Sequence, residues 1–285
     1  MQVSLSQRLR FAKFGAVLGL LASCAIADPP PAIAPSQAPP PVDPQVDAIL
    51  TRLEARTVTD LKARLVWEIQ HDVQMNADTP EVITRKGEIS YKDARPVPKF
   101  YVKFTERISG GRKQKQEEEH LFDGRWYTEL NSSAKTVTRR EMRRADDPRN
   151  PFKLGDGGTF PVPFGQEKQE ILREFEVRLE PAGSGDPKNT DHLVLTPHKW
   201  SRMSDDYQSL DFWVQRGGAE DGLPVKVRMA KLDGNGRLDS YVTVTFGEAK
   251  LDRGLSDNVF RIDTPLGYQL IEEPLVNDPT TAQPK

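Results

Sequence analysis

Cysteine is almost missing from this chain: its 285 residues contain one, Cys24, so a disulfide framework within the chain and a cysteine-based zinc cluster are both excluded. Histidine is nearly as scarce. The four, His71, His120, His192 and His198, lack the one-turn helical spacing that aims two imidazoles at one metal. No charge of one sign dominates. Lys and Arg total 40 and Asp and Glu 42, and the net charge of -2 gives nucleic acid no general attraction to the chain. Also absent is any run of roughly 18 apolar residues, the length a membrane-spanning helix requires. Serine nucleophile signatures, a phosphate-cradling glycine loop and a dinucleotide-binding glycine pattern are missing too. Gly155-Asp156-Gly157-Gly158 has no strand before it and no helix after it. With no nucleophile, base or metal arrangement in view, the expectation is a binding protein rather than an enzyme, without a cofactor.

What is present begins with a leader. Arg8, Arg10 and Lys13 precede the short apolar run Phe14 to Ala22, the charged-then-apolar layout of a bacterial export signal. Two cleavage chemistries fit residues 1–27. Leu21-Ala22-Ser23-Cys24 resembles a lipobox, in which the Cys24 sulfur would be acylated, and Ala25-Ile26-Ala27 before Asp28 resembles an ordinary signal-peptidase site. Either way the mature chain is expected beyond the inner membrane, soluble in the periplasm or held in the envelope by lipid. Residues 28–42 follow as a proline-rich tether. Eight of the 23 prolines fall between Asp28 and Gln45, a composition that favours an extended polyproline path and cannot build a core.

From Asp43 the pattern becomes that of a folded domain, expected to span 43–275, with 276–285 as a disordered tail. Asp43 can cap a helix whose first position takes Pro44, and Val46, Ile49, Leu50 and Leu53 recur at helical spacing. From Leu61 the period switches to two, with Leu61, Ala63, Leu65, Trp67 and Ile69 on one face. Similar alternation recurs over Ile83 to Tyr91, Phe100 to Phe104, a hairpin through Asp123-Gly124, Lys135 to Met142, and five later segments ending near Gly247. That makes about ten antiparallel strands joined mostly by short turns, for which a large curved sheet or open barrel is the economical solution. One further helix is expected between Gly165 and Phe175. The class is mainly β with helices.

Two charged stretches are candidates for function. Glu117-Glu118-Glu119, after Arg112, Lys113 and Lys115, reads as a solvated strand or loop. Arg139, Arg140, Arg143 and Arg144, with Arg149 nearby, could attract an anionic group or an acidic partner surface, although Glu141, Asp146 and Asp147 blunt that field.

The order of an N-terminal helix, a long strand, Lys92-Asp93-Ala94-Arg95-Pro96, Leu121-Phe122-Asp123-Gly124-Arg125-Trp126-Tyr127, Leu193-Val194-Leu195-Thr196-Pro197 and Val259-Phe260-Arg261-Ile262-Asp263-Thr264-Pro265-Leu266-Gly267-Tyr268 resembles the periplasmic lipoprotein carrier LolA and its relatives. The resemblance covers most of residues 46–275. It implies an unclosed, strongly curved antiparallel β-barrel with helices lying across its opening as a lid. It also implies a hollow that shelters lipoprotein acyl chains, which are handed to an envelope acceptor. Arg95, directly before Pro96, matches the arginine that helps hold the carrier's lid closed. The chain departs from the carrier pattern in its proline-rich collar and in charged insertions around 110–119 and 181–190.

The expected function is therefore that of an exported, non-catalytic binder or carrier of lipoprotein acyl chains or a similar lipid. The residues expected to line its apolar cavity are Leu65, Trp67, Ile69, Ile89, Tyr91, Phe100, Val102, Phe104, Phe122 and Trp126. Membrane contact would be peripheral or through an acylated Cys24. The rival expectation is an envelope-tethered sensor or scaffold of the same fold, with a filled interior and a protein partner met through the arginine-rich segment.

Overall fold

The computed structural model describes residues 42–71, 81–94, 97–144, 147 and 164–275. In chain order these form α1 (Pro44–Ala55), β1 (Asp60–His71), β2 (Val82–Lys92), β3 (Lys99–Ser109), β4 (Arg112–Phe122), β5 (Trp126–Asn131), β6 (Thr136–Glu141), α2 (Lys168–Glu174), β7 (Phe175–Glu180), β8 (Thr190–Pro197), α3 (Met203–Asp206), β9 (Tyr207–Gln215), β10 (Pro224–Leu232), β11 (Leu238–Leu251) and β12 (Gln269–Glu273).

Asp43 caps α1 by accepting from the Gln45 amide at 2.7 Å, and Pro44 takes the first turn, where its missing N–H costs nothing. Val46, Ile49, Leu50 and Leu53 are buried, so α1 gives its whole apolar stripe to the core. The helix lies against α2 and β7. Arg52 on its polar side reaches Asp191 of β8 at 2.5 Å and Asp221 at 3.5 Å. Gly222 makes this approach possible. A Cβ there would stand 2.7 Å from the Arg52 carbonyl oxygen, and its φ of +80° suits glycine besides.

The strands form one sheet in the order β12-β6-β5-β4-β3-β2-β1-β11-β10-β9-β8-β7. Every neighbouring pair is antiparallel except β12 with β6. β7 and β12 are the two edges and do not pair with each other, so the sheet is unclosed. Alternation sends Leu61, Ala63 and Leu65 of β1, Ile89 and Tyr91 of β2, and Phe100, Val102 and Phe104 of β3 into one core. Leu193, Leu195, Leu210, Phe212, Val227, Met229, Val242 and Val244 continue it on the other wing.

Twelve strands among the described residues replace the expected ten or so. The charged stretch around 110–119 lengthens two strands that were already expected. β3 and β4 run on through it and meet at a two-glycine turn, Gly110-Gly111, whose φ values are +55° and +72°. Charges on both faces of that extension hide its period of two. β12, in turn, has only five residues and pairs with a strand about 130 positions earlier in the chain, a contact that local pattern cannot announce. To reach β6, the chain after β11 leaves a turn in which Asp60 accepts from the Arg253 and Gly254 amides, and Lys92 then bonds Leu255 O and Asp257.

Candidate functional site

A cavity of about 370 Å³ lies against the inner face of β1–β6, lined by Trp67, Arg85, Phe100, Val102, Phe104, His120, Tyr127, Glu129, Arg140 and Met142. Trp67 and Arg140 sit on strands five positions apart, about 24 Å across a flat sheet at the usual strand spacing. Both nonetheless line one cavity. The volume lies in the range of small-molecule sites.

The floor is aromatic. Phe104 meets Trp67 edge-on with centroids 6.4 Å apart, and Phe100 packs on Tyr127 at 6.5 Å and on Phe122 at 6.0 Å. Above it runs a polar chain. Glu118, His120 and Phe122 alternate along β4, which aims all three inward. His120 Nε2 is 3.0 Å from Glu118 Oε1 and Nδ1 is 2.8 Å from the Tyr127 hydroxyl. An ionised carboxylate only accepts. The imidazole therefore donates from Nε2 to Glu118, which leaves Nδ1 to face the phenol. Arg85 Nε stands 3.6 Å from Glu118 Oε2. The His120 hydrogen bond, and after it the positive charge of Arg85 and Arg107, holds the Glu118 carboxyl below the usual carboxylate range against the opposing cost of burial. Burial pushes the Tyr127 phenol up, and nearby Glu129 and Glu118 add to that.

Of the residues expected to line a hollow, Trp67, Phe100, Val102 and Phe104 do so. Leu65, Ile89 and Phe122 are inward but fully buried in the surrounding core. Tyr91 packs on Phe164 and borders a second cavity of about 430 Å³ beside the end of α1, where Glu54, Arg56, Asp93 and Glu167 make the walls charged. Ile69 is half-buried at the rim of the core. Trp126 stands on the opposite face. β5 enters from the Asp123–Arg125 turn with Tyr127, not Trp126, pointing inward, and one residue of offset exchanges the faces. Trp126 lies instead under the Arg125 and Arg139 guanidinium groups, 5.7 and 5.0 Å from its centroid. Arg95 and Cys24 lie outside the described residues.

No family model matches the chain, and no curated protein matches it. Among solved structures it is similar to an uncharacterized conserved protein from Thermus thermophilus, at 13% identity and a TM-score of 0.41 over 80% of this chain and 99% of that one. It is similar to a LolA superfamily protein from Nitrosomonas europaea, at 16% identity and a TM-score of 0.35 over 76% of this chain and 97% of the other. A third likeness is to a DUF1329 family protein from Desulfovibrio piger, at 15% identity and a TM-score of 0.33 over 75% and 95%.

The arginine cluster is largely absorbed by the protein itself. Arg139 pairs with Glu272 at 2.8 Å and Arg140 with Glu273 at 2.7 Å, both from β12. Arg143 is buried and donates to the Gly124 carbonyl at 2.9 Å. Arg144 is exposed. The sequence offered these arginines as a surface for an anionic group or an acidic partner; Arg140 lines the cavity, and Arg139 and Arg143 are held by Glu272 and the Gly124 carbonyl. The polar chain of Glu118, His120 and Tyr127 is the feature that sequence reasoning missed. Its one legible sign is spacing: Glu118 and His120 precede the apolar Phe122 by four and two positions, which places them on its face.

Proposed function

We propose that this protein is an exported, non-catalytic binder of a single long apolar chain, a lipid acyl chain, held in the β1–β6 cavity. One observation carries the reading: an open volume of about 370 Å³ with an aromatic floor on the inner face of a curved sheet. At about 30 Å³ for each water-sized group, that space takes roughly a dozen methylenes, hence one chain rather than several. Burying them is worth about 0.8 kcal/mol each, or roughly 10 kcal/mol before the costs of association and ordering. Those costs leave enough for binding that can still be reversed.

Carrying lipoprotein acyl chains through the cell envelope to a protein acceptor is the version of this function that the sequence resemblance favours. In it, α1 and α2 act as the lid of an unclosed barrel, and the leader delivers the chain to the periplasm. The direct test is native mass spectrometry of the protein as purified, followed by extraction and identification of whatever leaves on denaturation. Co-purifying lipid near one per chain is the expected outcome. An empty chain that also takes up no fluorescent fatty acid would defeat the reading and leave a scaffold whose interior is closed to ligands.

A further inference from the structure

Past Phe104 the apolar face of β1–β4 is interrupted by two cations. Arg85 of β2 lines the cavity, and its partner across the strand pair is Arg107 of β3. Cross-strand partners share a face and lie about 5 Å apart, and like charges in that relation repel.

A bulge creates this pairing. The register between β2 and β3 slips by one at Thr105, between the Gly87–Phe104 and Lys86–Glu106 pairs. Without the slip, Glu106 would follow Phe104 inward. With it, Glu106 turns outward to Lys86 and Lys113, and Arg107 turns inward.

The counter-charge is incomplete. Glu118 already accepts from His120 and reaches Arg85 only at 3.6 Å, beyond hydrogen-bond length, and Glu129, which lines the same cavity, stands 4.0 Å from Arg140. The Nε atoms of both arginines are buried and meet no acceptor among the described residues. Two desolvated donors on arginines paired across β2 and β3, one of which lines an apolar cavity, suit an oxyanion attached to an apolar tail.

We propose that the Arg85–Arg107 pair receives the anionic head group, carboxylate or phosphate, of a single-chain amphiphile whose tail lies along Phe104, Val102 and Phe100. This rests on the acyl-chain reading above and names the chemistry of the head. It also supplies a reason for the bulge, which exchanges an inward glutamate for an inward arginine.

The test compares three ligands with the same tail, dodecanoate, dodecyl phosphate and dodecanol, on the full chain at pH 7. Binding is read by displacement of a fluorescent fatty acid. One charge-assisted contact gives the wild type at least about a tenfold preference for an anion over the alcohol. Whichever of dodecanoate and dodecyl phosphate binds tighter identifies the head-group class. In R107Q and in R85Q the anion-to-alcohol ratio falls towards one, and R107K restores part of it. Equal binding of anions and alcohol by the wild type, or a ratio unchanged in both glutamine variants, overturns the head-group assignment while leaving the acyl-chain reading intact. Binding of none of the three overturns both. Inorganic phosphate alone displacing the probe as well as dodecyl phosphate does would show a tail-independent anion site and also overturn the proposal. Should the glutamine variants fail to fold, the wild-type ratio and its loss at high salt decide the matter.

Discussion

Glu118 is a buried carboxylate in an apolar interior, and its ionised form is retained because His120, Arg85 and Arg107 surround it. Its folded-state affinity for protons is lowered. The stabilisation it contributes is therefore complete above the unfolded-state carboxyl value of about 4.3 and is lost as pH falls through the lower folded value. Thermal melts from pH 7 down to pH 3 are expected to show a fall beginning near pH 4.5 in the wild type, with a shallower acid limb in Glu118→Gln. At neutral pH the same variant is expected to lose about 1–3 kcal/mol, because His120 loses a charged acceptor and Arg85 a nearby counter-charge inside the fold. An acid limb identical to the wild type would assign the sensitivity to other carboxylates.

At the scale of elements, the β2–β3 pair matters most. Gly87 lies opposite Phe104 where the register slips, and a Cβ there would stand 1.9 Å from the Lys103 carbonyl oxygen. Neither backbone can yield without breaking the ladder. Gly87→Ala is expected to destabilise the protein by more than about 2 kcal/mol, measured as a lower denaturant midpoint at unchanged slope. A loss under 0.5 kcal/mol, roughly the noise of a neutral surface change, would mean that the strands part there without cost. The same pair shows how far local pattern reaches. The alternation of Phe100, Val102 and Phe104 was legible, and those side chains do face the cavity. The bulge at Thr105 was not, because an inserted residue changes the period without changing the composition. One position of offset likewise separates the expected Trp126 from the observed Tyr127.

At the scale of the whole molecule, α1 is joined to residues far along the chain through Arg52, whose partners Asp191 and Asp221 lie about 140 and 170 positions away. Arg52 and Asp191 are both largely withdrawn from solvent, so the pair is screened less than a surface bridge. Arg52→Ala is expected to cost about 1–2 kcal/mol and to speed hydrogen exchange of the α1 amides while leaving β1–β4 protected. Uniform acceleration across the sheet would mean that the helix and the sheet open together. Gly222 belongs to the same joint, since its missing Cβ sets how close the helix can lie.

Local pattern was enough for what depends on neighbours along the chain: the capped helix at Asp43-Pro44, the period-two strands, the absence of a cysteine or histidine metal pattern, and which apolar residues form a core. These rest on backbone geometry and on the transfer of apolar area from water, both readable within a few residues. Which charges meet was decided by the fold: Glu118 is interior and not solvated, Arg139 and Arg140 answer to β12, and Arg85, which lines the cavity, is paired across the strands with Arg107. The physical reason is the same in each case. The sign of a charge is local, but its energy depends on what the register and curvature of distant strands bring within a few ångströms of it.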